Sequence, residues 1–167
     1  PCADVGEQGG SRMKKYELTE ETVTVYGKTL YRIRAVRDFG SVKTGEFGGY
    51  IEKEENLSHF GNAWVSGNAK VSGNARVSGN AKVCGNAEVS NTRHFFVQGP
   101  IGSRNDFVTF YRTTNNTVGV RCGCFSGSLQ KFVDRVEETH GGSRYEKEYK
   151  LAAELAKVCI RLEGESR

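Results

Sequence analysis

The sequence predicts a mainly β chain: a parallel β-helix of hexapeptide repeats, capped by an N-terminal β-hairpin and followed by a small ββαα domain. Three observations predict it. Gly61 to Ser90 is one six-residue phrase said five times, GNAWVSGNAKVSGNARVSGNAKVCGNAEVS. An alternating stretch with a two-residue turn signal precedes it. A segment with two strand-like runs and then two helix-like runs follows it.

The chain has 167 residues, which suits one domain or two small ones. The first twelve, PCADVGEQGGSR, are polar and Gly-rich and read as an expression remnant, with a native start at Met13. The rest divides into residues 13–98, hairpin plus repeat, and residues 99–167, a small α+β domain. With 24 basic and 20 acidic side chains the net charge is +4, which permits an anionic partner without demanding one. No apolar run approaches the ~18 residues that span a membrane. The cysteines show neither disulfide nor zinc spacing and read as reduced thiols of a cytoplasm.

In TVTVYGKTLYRIRAV, alternation around Gly27-Lys28 predicts a hairpin with strands at about 22–26 and 29–36. Between residues 37 and 60 the hexad drifts. Lys53 and His59 fall on the valine register, where an inward charge is costly, so Ile51 and Leu57 are expected to turn inward instead.

In the repeat, Val65, Val71, Val77, Val83 and Val89 recur at one position and Ala63, Ala69, Ala75, Ala81 and Ala87 at another. Val favours extended backbone. Gly-Asn tolerates positive φ and marks a bend. Each hexad therefore reads as a short strand and a corner. Three hexads make an eighteen-residue turn, and successive turns stack as parallel rungs about 4.8 Å apart. Residues eighteen apart then lie above one another: Asn62 over Asn80, Trp64 over Lys82, Val65 over Val83, Lys70 over Glu88, Val71 over Val89.

After Val89 the phrase stops. His94 to Val97 are expected as a last rung and lid, with Gly99-Pro100 as a junction. Strands follow at about 106–112 and 117–124. SLQKFVDRVEETH is a helix with Leu129, Phe132, Val133 and Val136 on its apolar face. RYEKEYKLAAELAKVCIRL is a second, with Leu151, Leu155, Val158 and Leu162 expected on one buried face.

The C-terminal segment also carries the candidate site. GCFSGS joins a strand to a helix start, and the N–H groups of Gly127, Ser128 and Leu129 can face an anion along the helix dipole. Arg104, Arg112 and Arg121 add charge, and Phe125 can stack on a base. The competing reading is a capped turn, with Ser126 or Ser128 as the N-cap. SRND at 103–106 either caps the first strand or brings Arg104, Asn105 and Asp106 to a ligand. His140 is either a helix-end histidine favoured by the dipole or a polar contact to the ligand. Cys122 and Cys124 share a strand face, and two small core residues are the better reading than a metal pair. No catalytic residue, metal or cofactor is assigned.

The repeat resembles the left-handed parallel β-helix of the hexapeptide-repeat superfamily, and RAVRDFGSVKTGEFGGYIEKEENLSHFGNAWV is similar to phage and prophage proteins with such repeats. The likeness covers about residues 16–97. It implies the left hand, a homotrimer and the cytoplasm of an infected or lysogenic bacterial host. GPIGSRNDFVTFYR and CGCFSGSLQKFVDRVEETHG are similar to a module appended to varied repeat proteins in such genomes, which implies a portable binding unit.

The expectation is therefore a non-catalytic phage-type binding protein that counteracts host antiviral defence. A trimeric scaffold would present C-terminal domains that sequester a nucleotide-like signal. The alternatives are an inhibitor that binds a host defence protein directly, and a hexapeptide acyltransferase. The last would need a histidine general base, for which the β-helix offers His59 and His94, and an excursion loop, which the hexads at 61–90 lack. Nucleic-acid binding is disfavoured because Lys70, Arg76 and Lys82 fall on three different faces.

Overall fold

The structure, a computed structural model, describes residues 14–164. The expected remnant at 1–12 lies outside the described residues.

Strands β1 (Tyr16–Val25) and β2 (Lys28–Ala35) form the antiparallel hairpin. Its turn is Tyr26–Gly27, with φ of 50° and 80°. Positive φ at both central residues matches the twist of the flanking strands. The turn sits one residue before the expected Gly27-Lys28. β3 (Phe47–Ile51) joins β2 antiparallel. From there the pairing becomes parallel, to β5 (Lys70–Val71) and then β7 (Glu88–Val89). These make one mixed sheet in the order β1-β2-β3-β5-β7. β4 (Trp64–Val65) and β6 (Lys82–Val83) form a separate parallel pair, and Leu57 bridges Val77.

Within the repeat the partners are eighteen residues apart: Trp64 with Lys82, Val65 with Val83, Lys70 with Glu88, Val71 with Val89. Rung-to-rung bonds include Ser66 N–H to the Val83 carbonyl (2.9 Å) and Lys70 N–H to the Ala87 carbonyl (2.9 Å). All five alanines and all five valines of the repeat are fully buried. Ile51 and Leu57 do turn inward, but their partners Val71 and Val77 lie twenty residues on. The two extra residues fall between Leu57 and Val65, which are eight apart where their partners Val77 and Val83 are six apart; the short 3-10 turn Glu54–Asn56 precedes them. Asn56 ties that turn to the next rung: it is fully buried, accepts from Glu52 and Lys53 N–H, and donates to the Gly73 and Ala75 carbonyls.

The fold class needs correction. No long parallel β-helix forms among the described residues. The repeat's strands are two residues long, each parallel ladder is short, and one of them is absorbed into a mixed sheet with the antiparallel hairpin. The reason is length. Thirty residues of repeat supply fewer than two eighteen-residue turns, so most rungs have a neighbour on one side only. The remaining edge is satisfied by β3 and the hairpin rather than by further coils.

The C-terminal part differs too. It is a four-stranded antiparallel sheet, β8 (Phe95–Ile101), β9 (Asp106–Arg112), β10 (Val118–Cys122) and β11 (Phe125–Ser128), in the order β11-β10-β9-β8. Two helices follow, α1 (Leu129–His140) and α2 (Arg144–Cys159). The expected last rung, Phe95–Val97, is the start of β8, a strand that runs across residue 98. GCFSGS is a hairpin into a fourth strand rather than a strand-to-helix loop.

The sheet lies between two cores. Tyr111 packs into the repeat's interior cluster, whereas Val108, Phe110 and Val120 pack with Phe132, Val136 and the face of α2. That α2 face is Tyr149, Ala152, Ala153 and Ala156, with Leu151, Leu155 and Val158 exposed. The expected face is thus the opposite one. Alanines allow the helix axis to approach the sheet closely, and Leu162 lies beyond the helix end.

Candidate functional site

A cavity of about 600 Å³ opens between the β10–β11 hairpin and the two helices. Its volume falls within the range of small-molecule sites. Phe125, Phe132, Tyr149 and His140 supply aromatic walls. They hold one another: Phe125 and Phe132 centroids are 5.8 Å apart, Phe132 and Tyr149 meet edge-to-face at 5.7 Å, and His140 stacks on Tyr149 at 5.5 Å.

Three cations line the same space, Arg104, Lys131 and Arg135. None has a carboxylate within 4.0 Å among the described residues, whereas Lys150 on α2 bridges both Glu137 and Glu146. The Arg135 guanidinium lies over the Phe125 ring. Asp106 is the acidic residue of the lining. Burial, and next the nearby Asp106 charge, push the Cys122 thiol up. Burial and then the neighbouring Cys122 push the Tyr149 phenol up. Both groups stay neutral around pH 7, so neither opposes an anion.

The sequence-predicted residues divide. Arg104, Asp106, Phe125, Ser126 and His140 line the cavity. Arg112 does not. It sits six residues along β9 from Asp106, roughly 20 Å at strand spacing. There it is 3% exposed and donates to the Glu88 carbonyl (3.1 Å) and to the Glu163 carboxylate (3.1 Å). Arg121 points to the other side of the sheet and its Nε donates to the Gly123 carbonyl (2.8 Å). Asn105 holds a turn at φ 52°, its N–H donating to the Gly102 carbonyl.

Gly127 and Ser128 are engaged in the β10–β11 ladder opposite Val120 and Gly119. Ser128 caps α1, its hydroxyl oxygen accepting from Lys131 N–H at 3.2 Å. Of the two, Ser128 fits the capped reading, as the N-cap of α1. Cys122 is half-buried and packs against the sheet–helix core while also lining the cavity, whereas Cys124, on the same lining, is exposed.

Sequence reasoning missed Lys131, Arg135 and Thr139. Their spacing of four puts them on one side of α1, beside the apolar stripe that was read, and that spacing was the available signal. Tyr149 comes from α2 and carried no such signal.

His59 and His94 line neither this cavity nor the smaller one described below. His59 stacks on Tyr16 at 4.1 Å and meets Glu54 at 3.0 Å. His94 accepts from Ser90 N–H at its Nδ1 (3.0 Å). Among the described residues, no cluster of three or more His, Cys, Asp or Glu is placed to hold a metal ion, and no helix is long and apolar enough to cross a membrane.

No family model matches this chain, and no curated protein matches it.

Proposed function

We propose that the protein is a binding protein that holds a nucleotide-like anion in the cavity between the β10–β11 hairpin and the helices. The observation that carries this is the meeting of three cations without acidic partners and an aromatic wall in one cavity. A nucleobase stacks on aromatic faces, and phosphates pair with guanidinium and ammonium groups. The phage likeness of the sequence supports a role in sequestering a host defence signal, with no turnover of the ligand.

Isothermal titration against nucleoside phosphates, cyclic dinucleotides and ADP-ribose derivatives tests this reading, together with mass spectrometry of small molecules released by heating. Saturable heat with at least one class, or a released nucleotide, is the expected result. Flat traces throughout and an empty protein overturn it.

A second reading, direct inhibition of a host protein, is favoured by the exposed stripe Leu151, Leu155 and Val158 on α2. Leu151 and Val158 are 70% and 69% exposed, unusual for apolar residues on a helix that already buries its opposite face. Capture of a host protein that a variant carrying Leu151→Glu and Val158→Glu no longer captures is the result that would select it.

A further inference from the structure

A second cavity, of about 180 Å³, lies where the repeat meets the C-terminal sheet. Asn62, Asn80 and Lys82 line it from the repeat, and Thr109 and Arg121 from the sheet. It is adjacent to the aromatic cavity: Asp106 and Gly123 belong to the walls of both.

Apart from Asp106 on the shared wall, its charged groups are the donors Lys82 and Arg121. Lys82 and Arg121 have no carboxylate within 4.0 Å among the described residues. Arg121 is oriented by its Nε, which donates to the Gly123 carbonyl at 2.8 Å and leaves both Nη groups free. Thr109 is 1% exposed, and its hydroxyl oxygen accepts from Lys82 N–H at 2.9 Å. The hydroxyl proton therefore remains to be donated, and among the described residues no acceptor receives it. A buried donor left unpaired is unfavourable, so its presence on a cavity wall points to an acceptor that binds there. The side chains of Asn62 and Asn80, one rung apart, also make no hydrogen bond among the described residues. The space is too small for a base with its sugar and large enough for a tetrahedral oxyanion.

We infer that this cavity is a second phosphate subsite, continuous with the aromatic one, and that the ligand carries two phosphates on either side of a ribose. The assignment rests on the nucleotide reading of the larger cavity. In it, the base stacks on the Phe125–Tyr149 wall and one phosphate meets Arg104, Lys131 and Arg135. Asp106, on the shared wall, has one oxygen engaged by Phe107 N–H at 2.8 Å. Its other oxygen accepts from a sugar hydroxyl. The second phosphate meets Lys82, Arg121 and the Thr109 hydroxyl. A carboxylate between two cationic sites disfavours a continuous polyphosphate and suits a hydroxyl flanked by separated phosphates.

The test compares three probes by calorimetry on the full chain: adenosine monophosphate, an adenosine bisphosphate with its phosphates at separate ribose positions, and a 5′-phosphorylated adenylyl dinucleotide. The wild-type protein is expected to bind at least one of the two bisphosphorylated probes about 10-fold or more tighter than the monophosphate. Lys82→Gln and Arg121→Gln are each expected to erase that gap while leaving monophosphate affinity unchanged, with circular dichroism confirming the fold. Tighter binding of the dinucleotide than of the mononucleoside probe identifies the longer ligand as the better fit. Equal affinity for all three probes, or a gap that survives both substitutions, overturns the second subsite and leaves the larger cavity's reading standing. Absence of binding by every probe overturns both.

Discussion

The guanidinium carbon of Arg135 lies 5.7 Å from the centroid of the Phe125 ring, bringing a residue of α1 over the strand that precedes it. The contact leaves the guanidinium edge free to meet a phosphate while its face stays on the ring. Arg135→Ala is expected to weaken nucleotide binding about 10-fold or more. Arg135 is exposed, so the melting temperature should change little. Titration beside a thermal melt checks both halves.

Arg112 has the opposite role. It is buried between Glu88 and Glu163 at the far end of β9, joining the repeat to the chain's end. Arg112→Ala leaves the Glu88 side chain, itself mostly buried, without its partner. A loss of about 3 kcal/mol is expected in urea unfolding, with ligand affinity unchanged in protein that remains folded. A selective loss of affinity would return Arg112 to the site.

His94 makes stability depend on pH. Burial and then the nearby Arg112 charge lower its pKa from 6.5 to about 4. The geometry agrees, because Nδ1 accepts from Ser90 N–H and so carries no proton. The unfolded chain takes up a proton first on acidification. The contribution is therefore fully present above pH 6.5 and is lost as pH falls through about 4. Urea midpoints across that window should fall more steeply in the wild type than in His94→Gln.

The corners of the repeat are not equivalent. Gly73 has φ +63°, and a Cβ there would collide with the Ser90 carbonyl oxygen one rung on. Gly79 has φ +65° with nothing within 4 Å. Gly79→Ala should cost about 1 kcal/mol for backbone strain alone. Gly73→Ala should cost clearly more. Equal midpoints in denaturant for the two variants would mean the rungs are not this closely stacked.

On α2 the exposed and buried faces give a further contrast. Leu151→Glu should leave stability within about 0.5 kcal/mol. Ala153→Leu, placed against the sheet, should lower it by about 1–3 kcal/mol. The reverse order would restore the leucine face as the packed one.

That helix shows where the sequence stops being informative. Apolar periodicity selects Leu151, Leu155 and Val158, yet the buried residues are Tyr149, Ala152, Ala153 and Ala156. Hydropathy ranks leucine above alanine, but close approach of two backbones needs small side chains. The same limit governs the site. Arg104, Asp106, Phe125, Ser126 and His140 were identifiable as polar or aromatic residues near a turn. Lys131, Arg135 and Tyr149 reach the cavity only because α1 and α2 fold back over β10 and β11. Arg112 was misjudged because proximity in sequence along a strand becomes distance in space.

What the sequence determined by itself is the local repeat. An Ala–Val alternation cornered by Gly-Asn every six residues places Val65 beside Val83 and Val71 beside Val89, since positive φ at each glycine and an inward valine admit one register. What the tertiary structure decided is how those rungs are completed. Too few hexads exist to satisfy their own edges, so the open hydrogen bonds and apolar ends are closed by the hairpin, by the four-stranded sheet and by the helices behind it. Those partners lie far away in the chain, and no local pattern specifies them.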